Sequence, residues 1–177
     1  IWNEPDWVAD WHVVDGWKTK PPSKAELVRF NGSIFDYVRM LRIAKQASQK
    51  ADPDSLIATG GIGYPPFLDA ILRYTDNPTD GTVTEAYPAK GGDYLDVVDF
   101  HYYPIFSAKS SDVSVDDFIA SKRALEAVLD ARGKKIRGWN VSETGAPSAT
   151  SAEYPTIGSA EYARNYLIKV FMSAQAN

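Results

Sequence analysis

The chain has 177 residues, of which 44% are hydrophobic and 24% are charged, and its formal net charge is −4. This composition is typical of a globular domain with a sizeable core. The negative charge argues against nucleic-acid binding through phosphate contacts, and no apolar run approaches the roughly 18 residues of a membrane span. The absence of cysteine excludes disulfides and thiolate metal ligands, and two histidines alone do not predict a zinc site.

The first predicted element is the end of a β-strand, Ile1 to Glu4, and a long polar loop follows it over residues 5–32. Tryptophan is concentrated in this region, where loop side chains are expected to be partly exposed. Exposed aromatic rings in a loop suit stacking on the flat face of a sugar. We therefore expect Trp7 and Trp11 to bind substrate; the neighbouring tryptophans are Trp2 and Trp17.

Two strand–helix repeats are predicted in the first half of the chain. Ser33 is expected to cap a helix that runs to about Ala51, since apolar residues follow it at helical spacing. A short buried strand is predicted over Ser55–Thr59, and the pair Pro65-Pro66 opens a second helix. Residues 76–93 are rich in Gly, Pro, Asp and Thr, which predicts an irregular connection.

The third repeat begins with a predicted strand over Val97–Tyr102. Ser114 with Asp117 three residues later is typical of a capping box, and it predicts a helix that runs to about Ala131. Gly133 is expected to stop this helix.

The fourth repeat begins with a strand predicted over Lys135–Ser142, which ends at Glu143. Ser159 is then expected to cap a last helix. The apolar face predicted for that helix consists of Tyr162, Tyr166, Val170 and Phe171.

Strict alternation of strand and helix predicts an α/β fold with a parallel sheet covered by helices. Right-handed crossovers place the carboxyl ends of all strands at one rim, so Glu4, His101 and Glu143 are expected to meet there. We favour a (β/α)₈ barrel over an open sheet, because these residues follow several different strands. Four repeats make about half of such a barrel.

Two carboxyl groups that face each other at such a rim suit glycoside hydrolysis. In a retaining enzyme they lie about 5–5.5 Å apart, one as the proton donor and the other as the nucleophile. At that distance each raises the cost of ionising the other, so that one remains protonated. Glu4 and Glu143 are the predicted pair.

The period of two along a strand predicts which neighbours support Glu143. Trp139 shares its face but lies deeper, where packing is the expected role. His101 and Tyr103 share a face at the end of the third strand, and the Tyr103 hydroxyl is expected to donate to Glu143. Tyr102 takes that place if the register slips by one residue.

Three short strings resemble signatures of a known clan. They are Trp2-Asn3-Glu4-Pro5, His101-Tyr102-Tyr103-Pro104 and Ser142-Glu143-Thr144-Gly145. Together they look like the strand-4, strand-6 and strand-7 signatures of the retaining (β/α)₈ glycoside hydrolases, which include cellulases, mannanases and β-xylosidases. Families 5 and 39 both fit.

The resemblance implies roles for the matching residues. Glu4 would be the acid/base and Glu143 the nucleophile, Asn3 would contact the sugar 2-hydroxyl, and His101 with Tyr103 would support the site. It also implies that residues 1–177 form a partial catalytic domain covering roughly the C-terminal half of the barrel, from strand 4 to helix 7.

Strands 1–3 and 8 would then come from the remainder of a longer chain. We expect a secreted enzyme that needs no cofactor and takes a β-linked poly- or oligosaccharide as its partner. Two alternatives stay open at this point. One is a non-catalytic carbohydrate-binding or scaffold protein on the same barrel, and the other is a transglycosylase that uses the same site.

Overall fold

The structure is a computed structural model that describes residues 1–7, 22–105, 110–152 and 157–176. Within these ranges the main elements are four α-helices and two β-strands. In chain order they are α1 (Ile34–Ala51), α2 (Pro65–Arg73), β1 (Val97–Tyr102), α3 (Ser111–Ala131), β2 (Gly138–Thr144) and α4 (Ala160–Ala176). Two short 3₁₀ helices, Lys24–Glu26 and Gly91–Tyr94, lie in the connections.

The chain divides into two compact units. The first unit comprises Ile1–Phe100 and Leu125–Ser142, and the second comprises His101–Ala124 and Glu143–Asn177. β1 and β2 pair with each other in a two-stranded parallel sheet. None of the helices in the described ranges is both long enough and apolar enough to cross a lipid bilayer.

In the first unit, two further extended segments lie beside β1. Ala58 and Ile62 each form a parallel bridge to β1, at Val97 and Phe100. The amide of Glu4 in turn donates to the Gly60 carbonyl at 2.7 Å. The segments that end at Glu4 and at Ile62 therefore follow the course of parallel strands without a continuous ladder.

The prediction of strands over Ile1–Glu4 and Ser55–Thr59 is wrong, because neither segment forms a regular β-strand. Trp2 and Glu4 have φ values of 67° and 46°, a left-handed conformation that interrupts an extended ladder. Gly60 allows the two segments to meet, since a methyl group there would lie 2.3 Å from the carbonyl oxygens of both Ile1 and Trp2.

The core of the first unit forms where α1 and α2 bury their apolar faces. Ser33 caps α1 as predicted, and its hydroxyl accepts the Asp36 amide at 3.2 Å. The rings of Tyr37 and Phe67 pack with centroids 5.4 Å apart and join the two helices. The other buried side chains of this core include Ile34, Val38, Leu41, Leu68 and Ile71.

In the second unit, α3 begins earlier than predicted. Ser114 lies inside the helix, where its hydroxyl donates to the Ser110 carbonyl and bonds with the Tyr162 hydroxyl, both at 2.7 Å. The predicted capping box is therefore wrong, because this serine back-bonds to the preceding turn. β2 begins three residues later than predicted and extends through Glu143.

The cap of α4 is confirmed, with the Tyr162 amide donating to the Ser159 hydroxyl at 3.0 Å. Tyr166 and Val170 are buried as predicted, whereas Phe171 is 65% exposed. Its prediction as part of the buried face is wrong: it lies beside the buried stripe rather than on it.

Candidate active site

Glu143 meets two side chains from β1 and its end within the second unit. The Tyr103 hydroxyl donates to Oε2 of Glu143 at 2.8 Å. Nδ1 of His101 lies 3.6 Å from the same oxygen, and this imidazole is buried. The Glu143 side chain is 43% exposed, so a substrate can reach the carboxylate while one of its oxygens is held.

The alternation predicted for β1 is therefore the one observed. His101 and Tyr103 lie on the side that faces Glu143, and the Tyr102 side chain points elsewhere, with its ring edge-on to Phe118 at 5.9 Å. Burial raises the pKa of Tyr102 well above its usual range, and the negative charge of Asp117 adds to this effect. The competing register, with Tyr102 on Glu143, is thus excluded.

The residue after Glu143 anchors the end of β2. The Thr144 hydroxyl donates to the Tyr102 carbonyl at 2.8 Å and bonds with the Tyr166 hydroxyl at 2.5 Å. Burial raises the pKa of Tyr166 to about 12. Sequence reasoning missed this anchor, because nothing in the pattern of α4 distinguishes a buried tyrosine that bonds from one that only packs.

Glu4 has its own surroundings in the first unit. Its side chain is 18% exposed, and its Oε2 lies 3.8 Å from Nε of Arg29. The Arg29 guanidinium also lies 5.3 Å from the centre of the Trp7 ring, in a cation–π contact. Sequence reasoning missed Arg29 because it sits in a predicted loop, without a motif around it.

The backbone that carries Glu4 is strained on both sides of Asn3. Left-handed φ values at Trp2 and Glu4 cost about 1–3 kcal/mol each, and such values persist only where the surroundings impose them. Asn3 between them is exposed, as is 56% of Trp2. The conformation presents Asn3 and Trp2 to solvent rather than to the core.

Asp6 is a further residue that sequence reasoning missed. It is buried, and its Oδ2 accepts the amides of Gly63 and Tyr64, each at 2.8 Å. Burial raises the pKa of Asp6 to about 7 despite these hydrogen bonds, and the negative charge of Glu4 acts in the same direction. This aspartate directly follows the string Trp2-Asn3-Glu4-Pro5, but its burial depends on residues far along the chain.

The remaining predicted residues are only partly described. Trp11, together with Trp17, lies outside the described residues, whereas Trp7 is half-buried beneath Arg29. Glu4 belongs to the first unit and Glu143 to the second. Their convergence on one substrate stays a prediction.

Comparison with known proteins identifies a fold and no family. No protein-family model matches the sequence, and no curated protein matches it. Among solved structures, the chain is similar to the crystal structure of a glycoside hydrolase family 17 β-1,3-glucanosyltransferase from Rhizomucor miehei, with a TM-score of 0.54 and 18% identity. The match covers 84% of this chain and 45% of that one.

The chain therefore spans less than half the length of the solved structure that it matches. At this identity the likeness shows a shared fold and nothing about activity. The predicted α/β class is confirmed, because the chain shares the fold of part of a glycoside hydrolase structure.

Proposed function

We propose that this chain is the part of a retaining glycoside hydrolase barrel that carries both catalytic carboxyl groups, Glu143 as nucleophile and Glu4 as acid/base. The observation that carries the proposal is the 2.8 Å hydrogen bond from Tyr103 to Glu143 at the end of β2. A hydroxyl that holds one carboxylate oxygen leaves the group oriented for attack. The substrate is a β-linked poly- or oligosaccharide.

The reaction has two steps. In the first, a carboxylate oxygen of Glu143 bonds to the anomeric carbon, the glycosidic C–O bond breaks, and Glu4 gives its proton to the departing oxygen. In the second, Glu4 takes a proton from water, whose oxygen bonds to the anomeric carbon as the ester to Glu143 breaks. Atoms and charge balance, and Glu4 returns to its protonated form.

The other site residues have supporting roles in this proposal. Asn3 is exposed beside Glu4, where its amide binds the sugar 2-hydroxyl. Trp7 and Trp11 stack on sugar rings, and His101, buried with its Nδ1 3.6 Å from Oε2 of Glu143, flanks the oxygen that Tyr103 holds.

The domain assignment is part of the proposal. Residues 1–177 form the portion of a (β/α)₈ barrel from strand 4 to helix 7, and a longer chain supplies the rest. The 45% coverage of the solved structure supports this division. A polysaccharide substrate implies a secreted protein. Families 5 and 39 fit the three strings, whereas the structural neighbour belongs to family 17.

Sugar transfer is the second candidate function. The matching structure is that of a β-1,3-glucanosyltransferase, a name that denotes transfer of a glucan segment. Transfer uses the same first step, and an acceptor sugar hydroxyl replaces water in the second. Analysis of products at high acceptor concentration separates the two, since transfer yields longer oligosaccharides and hydrolysis yields shorter ones.

Labelling the full-length protein with 2-fluoro glycosides of several sugars tests the nucleophile. The fluorine slows the second step, so a covalent adduct accumulates, and mass spectrometry of peptides is expected to find it on Glu143. The Glu143→Gln variant should give no adduct, and the matched control Glu161→Gln, an exposed glutamate on α4, should label normally. An adduct on another residue would refute the assignment.

Azide separates the roles of the two glutamates. In Glu143→Ala, azide is expected to attack from the vacated face and give the α-glycosyl azide. In Glu4→Ala, it should attack the glycosyl–enzyme from the opposite face and give the β-glycosyl azide. A protein that binds β-glucans but shows no turnover and no adduct would instead support the non-catalytic carbohydrate-binding alternative.

A further inference from the structure

The buried carboxyl group of Asp6 is not used by the proposed reaction. Its Oδ2 accepts two backbone amides, those of Gly63 and Tyr64, immediately before α2 begins. The side chain is therefore a bridge between the segment that carries Glu4 and the start of a helix 58 residues further along the chain. Because it is buried, the bridge is protected from competition by water.

Glu4 is held between two anchors on the same short stretch of chain. On one side its own amide donates to the Gly60 carbonyl at 2.7 Å. On the other, Asp6 holds the amides of Gly63 and Tyr64, and only Pro5, with its restricted φ, lies between the two acidic residues. The segment from Gly60 to Tyr64, to which both anchors attach, is itself fixed to β1, since the Ile62 amide donates to the Asp99 carbonyl at 3.0 Å.

These anchors explain how an unfavourable backbone conformation persists. Glu4 has a φ of 46°, which a non-glycine residue adopts only where its neighbours impose it. The Trp7 amide donates to the Glu4 carbonyl at 3.2 Å and closes the turn around Pro5. Asp6 lies inside this turn, so its two hydrogen bonds oppose relaxation of Glu4 to an extended conformation.

We propose that Asp6 is a positioning residue, whose carboxyl group fixes the turn that aims Glu4 at the departing oxygen of the substrate. This inference rests on the proposed role of Glu4 as acid/base. Asp6 itself does not touch the substrate. It acts through the backbone of Pro5 and through the Gly63–Tyr64 amides.

Among the described residues, the groups that act electrostatically on Asp6 come from three parts of the first unit. Glu4 lies on its own segment, Tyr64 immediately precedes α2, and Tyr37 belongs to α1. Each is neutral or negative, so none of the three stabilises a negative charge on Asp6 by ion pairing. The two backbone donors hold the carboxyl group in either protonation state, because a carbonyl oxygen also accepts hydrogen bonds, although a carboxylate oxygen accepts stronger ones.

The test compares two variants on two substrates. Both backbone amides converge on one oxygen of Asp6, so the single carbonyl oxygen of Asp6→Asn can accept both, whereas Asp6→Ala accepts neither. One substrate has a poor alkyl leaving group that needs a proton, and the other has a dinitrophenyl leaving group that does not. The readout is kcat/KM of the full-length protein, which reports the steps up to bond cleavage.

For Asp6→Ala we expect kcat/KM on the alkyl glycoside to fall about 10- to 100-fold, because a misplaced acid forfeits part of the roughly 100- to 10,000-fold that general acid catalysis contributes. On the dinitrophenyl glycoside the loss should stay below about 3-fold, because that leaving group departs without a proton. Asp6→Asn should match the wild type on both substrates. A merely structural role would lower both rates together.

The outcomes distinguish this inference from the proposed function. Equal losses of Asp6→Ala on both substrates would overturn the positioning role while leaving Glu4 as acid/base. If Asp6→Ala fails to fold, Asp6→Asn decides: folded protein with a selective loss on the alkyl glycoside would show that charge, not hydrogen bonding, is required, and would overturn the proposal. Failure of the proposed function would give a different result. The wild type would show no turnover, or Glu4→Ala would show the same ratio of rates on the alkyl and dinitrophenyl glycosides as the wild type.

Discussion

The hydroxyl of Tyr103 donates a 2.8 Å hydrogen bond to Oε2 of Glu143. The two residues lie 40 positions apart in the chain, at the ends of β1 and β2. Since hydrogen bonds to a charged group are stronger than those between neutral groups, the contact is a substantial constraint on the carboxylate. It is also the contact through which the proposed nucleophile is most directly tested.

Replacing Tyr103 by Phe should lower kcat/KM by about 10- to 100-fold, which corresponds to loss of roughly 1.5–3 kcal/mol from a charge-assisted hydrogen bond. The ring remains, so packing changes little. Steady-state kinetics of the full-length protein measures the loss, with Tyr102→Phe as the control because that side chain packs against Phe118. Equal losses in the two variants would contradict the role of Tyr103.

Asp6 should make stability depend on pH. Its pKa is raised from 3.8 to about 7 by burial, so the folded state keeps a proton that the unfolded state releases above about pH 4. The contribution to the free energy of unfolding is therefore full below pH 4 and is lost as the pH rises towards 7, by a few kcal/mol in all.

Asp6→Asn removes this titration, so its free energy of unfolding relative to the wild type should rise between pH 4 and pH 7 and level off above. Denaturant unfolding at several pH values measures the difference. Ser148→Ala, at an exposed loop position without a titratable group, provides the control and should give a constant difference over the same range. A constant difference for Asp6→Asn as well would show that Asp6 titrates normally in the folded state.

Gly60→Ala should destabilise the protein by about 1–3 kcal/mol or more, since the new methyl group would lie 2.3 Å from two backbone oxygens that cannot move independently. Gly63→Ala is the matched control on the same stretch, because no neighbouring atom of the described residues lies within 4 Å of its added methyl group. Thermal unfolding compares the two. Similar melting temperatures would mean that the segment ending at Glu4 does not lie against Gly60.

Ser142→Ala should lower the free energy of unfolding by about 1–2 kcal/mol, because it removes a hydrogen bond to a charged acceptor. The Ser142 hydroxyl donates to Oδ2 of Asp99 at 2.6 Å, and its amide donates to Oδ1 at 2.9 Å. Ser142→Thr keeps the hydroxyl and should restore most of the loss. In the control Ser148→Ala, at an exposed loop position, denaturant unfolding should detect no change.

The helices were predictable because their signals are local. Ser33, Ser159 and Pro65 mark helix starts within a few residues of the hydrogen bonds they affect, and Gly133 ends α3 with a φ of 62°. The capping box predicted at Ser114 was wrong because a local motif alone does not reveal that this hydroxyl donates to the Ser110 carbonyl.

The extended segments were harder to predict from the sequence. An apolar run predicts that residues 55–59 are extended and buried, but a strand also needs a continuous partner, and here single bridges at Ala58 and Ile62 replace a ladder. Likewise the left-handed φ at Trp2 and Glu4 leaves no trace in the sequence, because neither residue favours that conformation.

The amino-acid order by itself determined the α/β class, the four main helices and the face of β1 that meets Glu143, because these follow from periods of two and 3.6 residues. Only the tertiary structure decided that Arg29 faces Glu4, that Tyr166 bonds Thr144, and that Asp6 is buried against the amides before α2. These contacts join residues from distant parts of the chain, and their geometry depends on packing between elements that no local pattern encodes.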